Sequence, residues 1–191
     1  MTDRNCKVSL LDHESAKLAA SKLGIQEGMA RLSIFQALLA HPKVARPFND
    51  LLMTLLFEGL LPVRLRELVI LRTGWVTNCA YEWTQHYSIA QMLGVEVQAI
   101  ECVIEWRSQE PDFYSAQEQT ALQCVDEFAK QRNFSEQSWE LIRKNFATDE
   151  EIVELVLLIN TYFMISGFLQ SLDIPLEEGV SPWPPTGKGP E

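Results

Sequence analysis

Apolar positions recur at helical spacing along nearly the whole chain, and no stretch shows the strict alternation of a half-buried strand. Residues 13–23 read as a short helix closed by Gly24, and Gly28 interrupts the pattern again. Met29 to Ala40 reads as an apolar-rich helix that His41-Pro42 should end, because the residue before a proline is pushed out of the α region. A helix from about Lys43 to Phe57 follows, with Pro47 in its first turn, and Gly59 marks a turn. Pro62 suits the first turn of the next helix. There Leu65, Leu68, Val69, Leu71 and Trp75 recur at helical spacing, and Gly74 with Thr77-Asn78 is expected to break or bend the pattern. A partner helix should start near Cys79, with Asn78 as N-cap, and end at Gly94. Residues 96–107 predict one further short helix. Ser115-x-x-Glu118 and Thr148-x-x-Glu151 are capping boxes opening helices to about Gln131 and Leu172, and Ser135 caps a helix between them, to about Asn145. The expectation is an all-α, single-domain helical bundle of about seven or eight helices. Its core covers about residues 31–172, and the Pro/Gly-rich tail, 173–191, is extended and pinned by Trp183 to a neighbouring subunit or to its own core.

The uncharged run from Leu155 to Leu172 reaches the lower edge of a membrane span in length. Asn160, Thr161, Ser166, Gly167, Gln170 and Ser171 interrupt it, and Glu151 and Glu154 open the same helix, so it reads as a buried or subunit-interface helix. With 191 residues, 47% of them hydrophobic and 22% charged, the chain can bury a core without staples. A net charge of −10 with no basic run argues against nucleic-acid and anionic-membrane partners. Cys6, Cys79, Cys102 and Cys124 form no close pair and match no zinc spacing, and Cys102 and Cys124 read as small core residues. The start, MTDRNCKVSL, carries no apolar signal region, so the expected location is cytoplasmic, with reduced thiols. His41 reads as a boundary residue, and His13 as still less of a catalytic candidate.

Candidate chemistry gathers in residues 61–94. Cys79, Glu82 and His86 stand at i, i+3 and i+7, one stripe of a helix. Cys79 at the helix start is placed where the macrodipole favours a thiolate. Glu67, on the preceding helix, could close over the stripe if the two helices pack as an antiparallel pair. Each residue also has a structural reading: Glu67 paired with Arg64, Arg66 or Arg72, Cys79 as a packed thiol, His86 as an ordinary hydrogen-bonded histidine, and Trp83 as packing or pocket wall.

The run RELVILRTGWVTNCAYEWTQH resembles the signature of the carboxymuconolactone decarboxylase family, whose relatives include alkylhydroperoxidase D. LSIFQALLAHPKVARPFNDLLMTLLFEGLLPVRLRELVILR and NTYFMISGFLQSLDIPLEEGVSPWP extend the resemblance to about Arg31–Pro185. It implies helical subunits in an obligate homo-oligomer, a trimer or hexamer. The peroxidase branch carries Glu, then Cys-x-His-Cys, then His. In this sequence these fall on Glu67, Cys79 and His86, with Tyr81 where the internal histidine would stand and Glu82 in place of the second cysteine. A dithiol cycle needs a second thiol with its Cα about 4.4–6.8 Å away, and Glu82 cannot supply one.

Three functions follow as expectations. The first is acid–base chemistry, decarboxylation or isomerisation, on a small carboxylated lactone or enone. His86 would be acid or oxyanion donor, and Glu67 a proton shuttle with its pKa raised by apolar surroundings. Glu82 would orient His86 from four residues back, Cys79 would be a pocket residue, and Tyr81 and Trp83 would support the site. The second is a thiol peroxidase in which Cys79 is oxidised to a sulfenic acid and a resolving thiol comes from elsewhere. The third is a non-catalytic oligomeric scaffold. None requires a metal or an organic cofactor.

Overall fold

A computed structural model describes residues 6–110 and 112–190. Every regular element among them is helical. The chain sorts into two compact units, Met1–Glu58 with Gly167–Ser181 and Gly59–Ser166 with Pro182–Glu191.

The first unit holds α1 (His13–Leu23), α2 (Ser33–Leu38) and α3 (Pro42–Met53). Asp12 caps α1 by accepting from the Ser15 N–H at 2.8 Å, and Gly24 closes it at φ 66°. The single helix expected over Met29–Ala40 is instead a 3-10 turn, Glu27–Arg31, followed by α2. Leu32 between them is extended (φ −79°, ψ 130°), which stops one helix and starts the other. The Ser33 N–H at the start of α2 is satisfied by Glu177 Oε1 at 2.8 Å. His41 does mark a boundary, as the residue preceding α3. α3 is shorter than expected and passes into one π-helical turn, Thr54–Glu58.

The second unit carries the site. It contains α4 (Val63–Val76), α5 (Ala80–Met92), α6 (Val97–Cys102), a 3-10 turn (Val103–Ser108), α7 (Ala116–Gln131), α8 (Glu136–Asn145) and most of α9 (Asp149–Ser171). From Leu65 to Leu71 every residue of α4 is buried, so α4 has partners on all sides. It runs through Gly74 without a break, against the expectation. The reason is packing: a Cβ on Gly74 would lie 3.0 Å from the Trp83 backbone N, so glycine lets α5 approach α4 closely. Asn78 adopts a left-handed conformation (φ 53°), and Cys79, not Asn78, is the N-cap of α5. The short connection folds α5 back antiparallel along α4, with position 74 beside 83 and 67 beside 86.

Below this pair, Leu68, Leu71, Trp83, Tyr87, Ile100 and Leu122 form the apolar core. The helix expected over 96–107 splits into α6 and the 3-10 turn, because Glu105 leaves helical geometry (φ −116°, ψ 44°). Arg72 ties that turn down, its Nη1 donating to the Ile104 carbonyl at 2.6 Å and its Nε to Asp126 Oδ1 at 2.6 Å. The capping box of α7 is complete in both directions. At α9 the Glu151 N–H donates to Thr148 Oγ1 at 3.2 Å, while the Glu151 carboxylate accepts from Ala147 N–H. The end of the tail is pinned to its own unit. The Trp183 N–H donates to Thr84 Oγ1 at 3.0 Å, and Trp83 Nε1 donates to the Pro184 carbonyl at 2.8 Å.

α9 is long and apolar enough to cross a membrane by length and composition alone. Leu155, Leu158, Ile159, Tyr162 and Ile165 are nonetheless buried, whereas Val153, Leu157 and Met164 are exposed.

Candidate functional site

Two clusters of polar side chains lie where α4, α5 and α9 supply residues. The first is the set Arg66, Glu67 and His86. Glu67 is fully buried. Its Oε2 lies 2.8 Å from His86 Nδ1, and its Oε1 accepts from Arg66 Nε at 3.1 Å. Burial by itself would raise the Glu67 pKa, but His86 and Arg66 outweigh it and hold the carboxyl below the ordinary carboxylate range. The expected raised value is thus reversed, because two positive-end donors share one carboxylate. An ionised carboxylate only accepts, so Nδ1 of His86 carries the proton and Nε2 is the position that can exchange one. Tyr162 of α9 stands edge-on to the imidazole, with ring centroids 5.3 Å apart and planes at 85°. Burial, and next the Glu67 charge, push the Tyr162 phenol well above its usual value.

The second cluster is Cys79, Glu82 and Ser166. Cys79 is buried at the head of α5 and makes no side-chain cap bond. The thiolate favoured by the helix start is not found. Burial, then the Glu82 carboxyl, push the thiol up to about 12, against the opposing pull of the Glu82 and Tyr81 N–H groups and the Ser166 hydroxyl. Glu82 is buried, with its Oε2 hydrogen-bonded to Ser166 Oγ and its Oε1 without a partner. Burial raises its pKa well above the carboxylate range. Glu82 therefore does not orient His86; Glu67 does, from the neighbouring helix.

The structure thus joins Glu67 with His86 and Cys79 with Glu82, and Tyr162 senses both carboxyls. Tyr81 is buried next to the Cys79 sulfur through its N–H. Trp83 faces the aromatic core instead, with ring centroids 5.2 Å from Trp75 and 6.3 Å from Trp183. Sequence reasoning missed Tyr162 and Ser166. Their signal was spacing: two hydroxyl-bearing residues four apart, on one face of an otherwise apolar helix. All four cysteines are free. Among the described residues no three His, Cys, Asp or Glu side chains gather as metal ligands.

Residues 42–127, the part of the chain that holds Glu67, Cys79 and His86, match the model of the carboxymuconolactone decarboxylase family. The uncharacterized protein YdfG of Bacillus subtilis (strain 168) is 31% identical over 97 residues, 50% of this chain and 64% of that protein, so the match spans less than two thirds of the relative. Solved structures share the all-helical fold. A peroxidase-related protein from Silicibacter sp. TM1040 superposes with TM-score 0.74 at 16% identity, over 94% of this chain and 97% of that one. The alkylhydroperoxidase AhpD core of a peroxidase-related protein from Ralstonia eutropha JMP134 gives 0.71 at 14% identity, over 91% and 93%. The debrominase Bmp8 gives 0.64 at 17% identity, over 87% and 86%. The fold is therefore alkylhydroperoxidase D-like.

Proposed function

We propose that this protein is a cofactor-independent enzyme of acid–base type, acting on a small carboxylated lactone or enone by decarboxylation or isomerisation. The observation that carries this reading is the 2.8 Å contact between His86 Nδ1 and a buried, ionised Glu67, which fixes the imidazole so that Nε2 is its working nitrogen. In a decarboxylation the bond from the carboxylate carbon breaks and carbon dioxide leaves. The electron pair passes into the conjugated carbonyl, giving a dienolate. His86, protonated, stabilises the new oxyanion or delivers its Nε2 proton to carbon, and Glu67 balances the imidazolium. In an isomerisation the same group removes a proton from one carbon and returns it to another.

Cys79 has a lesser part in this reading. A buried thiol with its pKa at about 12 is a pocket wall at neutral pH, not a nucleophile. The second reading is a thiol peroxidase centred on Cys79, favoured by the Glu67, Cys79 and His86 spacing and by the peroxidase-related fold neighbours. Both readings expect a homo-oligomer, with the exposed Val153, Leu157 and Met164 of α9 as part of its contact.

The test is a panel of lactone and keto acids assayed for substrate loss and carbon dioxide release. His86→Ala should lower turnover by about 10²–10⁴-fold, and Cys79→Ser should leave it within a few-fold. The opposite order would reject the acid–base reading.

A further inference from the structure

Glu82 presents a problem that the acid–base pair does not solve. It is a buried carboxyl with one bare oxygen. Among the described residues no Lys, Arg or His nitrogen forms an ion pair with it; burial and the Ser166 hydroxyl are what act on it, while Arg66 and His86 pair with Glu67. The groups linked to it are Cys79 at the head of α5, Tyr162 and Ser166 on α9 and, through Ser166, Thr77 after α4. None of these carries a positive charge. An ionised Glu82 would be an uncompensated buried anion with an unsatisfied oxygen, which costs several kcal/mol or more.

The hydroxyls supply the alternative. Hydroxyl protons rotate to suit their partners. Thr77 Oγ1 lies 2.7 Å from the Thr73 carbonyl, the usual back-bond of a threonine at the end of a helix, and 3.1 Å from Ser166 Oγ. Its single proton goes to the closer carbonyl, which can only accept. Ser166 is then free to donate to Thr77 Oγ1 or to the Cys79 sulfur, and its own oxygen accepts from Glu82. Every proton has a place if the carboxyl is the donor. The bare Oε1 is then the carbonyl oxygen of a neutral acid, which tolerates burial far better than half of a carboxylate.

We propose that Glu82 is a neutral carboxylic acid in the resting protein, that Ser166 of α9 is the residue that positions it, and that this neutrality fits the site to a carboxylate substrate. The direction of the Glu82 shift agrees with this assignment. The consequence is a charge count. With Glu82 and Cys79 both neutral, Glu67 is the sole anion of the two clusters, set against Arg66 and the imidazole. The site then carries no net negative charge and can take in one small anion. With Glu82 ionised it would repel that anion. This last step rests on the acid–base reading; the protonation state of Glu82 does not.

The experiment is infrared difference spectroscopy on the full chain without substrate at neutral pH. It follows the carbonyl stretch of a protonated carboxylic acid in wild type, Glu82→Gln and Ser166→Ala. The expected result is a band in wild type that moves down on exchange into heavy water, is absent in Glu82→Gln and shifts up in Ser166→Ala, where the hydrogen bond is gone. Absence of any such band in wild type overturns the proposal. So does a band that neither substitution changes, because it then belongs to another carboxyl. If Glu82→Gln does not fold, the Ser166→Ala shift decides alone. A band assigned to Glu82 without turnover of any lactone or keto acid would remove the acid–base reading and leave this assignment standing.

Discussion

His86 on α5 reaches back across the helix pair to place Nδ1 2.8 Å from Oε2 of Glu67, a carboxylate with no exposure to solvent. The contact is possible because Gly74, about two turns further along α4, admits the α5 backbone at a distance that a side chain would refuse. The same buried carboxylate pairs with Arg66 through its other oxygen, and a buried ion pair is held by mutual need. Removing one partner strands the other, which costs about 3–5 kcal/mol.

Glu67→Gln is the first case. The amide cannot balance Arg66, so the variant should lose roughly 3 kcal/mol in urea unfolding. The pH dependence has a definite sign. A carboxyl depressed below its ordinary value of 4.5 adds stability that is present above that value and lost as pH falls through the lower, folded one. Wild type should therefore weaken in acid over that window, and Glu67→Gln should lack this component. Equal acid profiles would contradict the depressed Glu67.

Glu82 has the opposite sign. Its folded pKa lies above 4.5, so the folded state holds a proton that the unfolded chain releases. This contribution makes wild type less stable as pH rises from 4.5 toward the folded value. Glu82→Gln keeps the shape and removes the titration. Its stability should fall less than that of wild type between mildly acidic and mildly alkaline pH, as read from urea midpoints. A parallel decline in both proteins would remove Glu82 as the source.

Peroxide consumption with a dithiol reductant separates the two functional readings. The acid–base reading expects wild type and Cys79→Ser to be equally inert, given a thiol at about 12. Glu82→Cys restores a Cys-x-x-Cys spacing, and a gain of turnover in that variant alone would mean that the scaffold supports peroxidase chemistry once a second thiol is present. Turnover by wild type that Cys79→Ser abolishes would make the peroxidase reading the main one.

Gly74 and Trp83 test the frame that holds the pair. Gly74→Ala sets a Cβ 3.0 Å from backbone atoms that cannot swing aside, and should destabilise by about 1–3 kcal/mol. Trp83→Ala empties a site that is 1% exposed and removes the bond to the Pro184 carbonyl. It should cost about 3–5 kcal/mol in chemical denaturation, and Trp83→Phe less. A neutral effect of Gly74→Ala would mean that α4 and α5 can separate without loss.

The sequence by itself determined the helical class and most helix boundaries, because these are local properties, and it offered Glu67, Cys79 and His86 as candidates. Helical periodicity, capping boxes such as Ser115 with Glu118, and a glycine such as Gly94 act within a few residues of chain. It misplaced what depends on neighbours in space. Gly74 looked like a breaker and is a contact point. Cys79 looked like a thiolate, since the helix start speaks for one, and is a thiol because burial outweighs the dipole. Glu67 was expected to be raised and is depressed, because His86 and Arg66 converge on it from two helices. Glu82 was assigned to His86 by its spacing and belongs to Ser166, more than eighty residues away. Only the tertiary structure could decide these points, because the charge state of a buried group is set by which dipoles and charges surround it, and that list is written by packing across α4, α5 and α9, not by order along the chain.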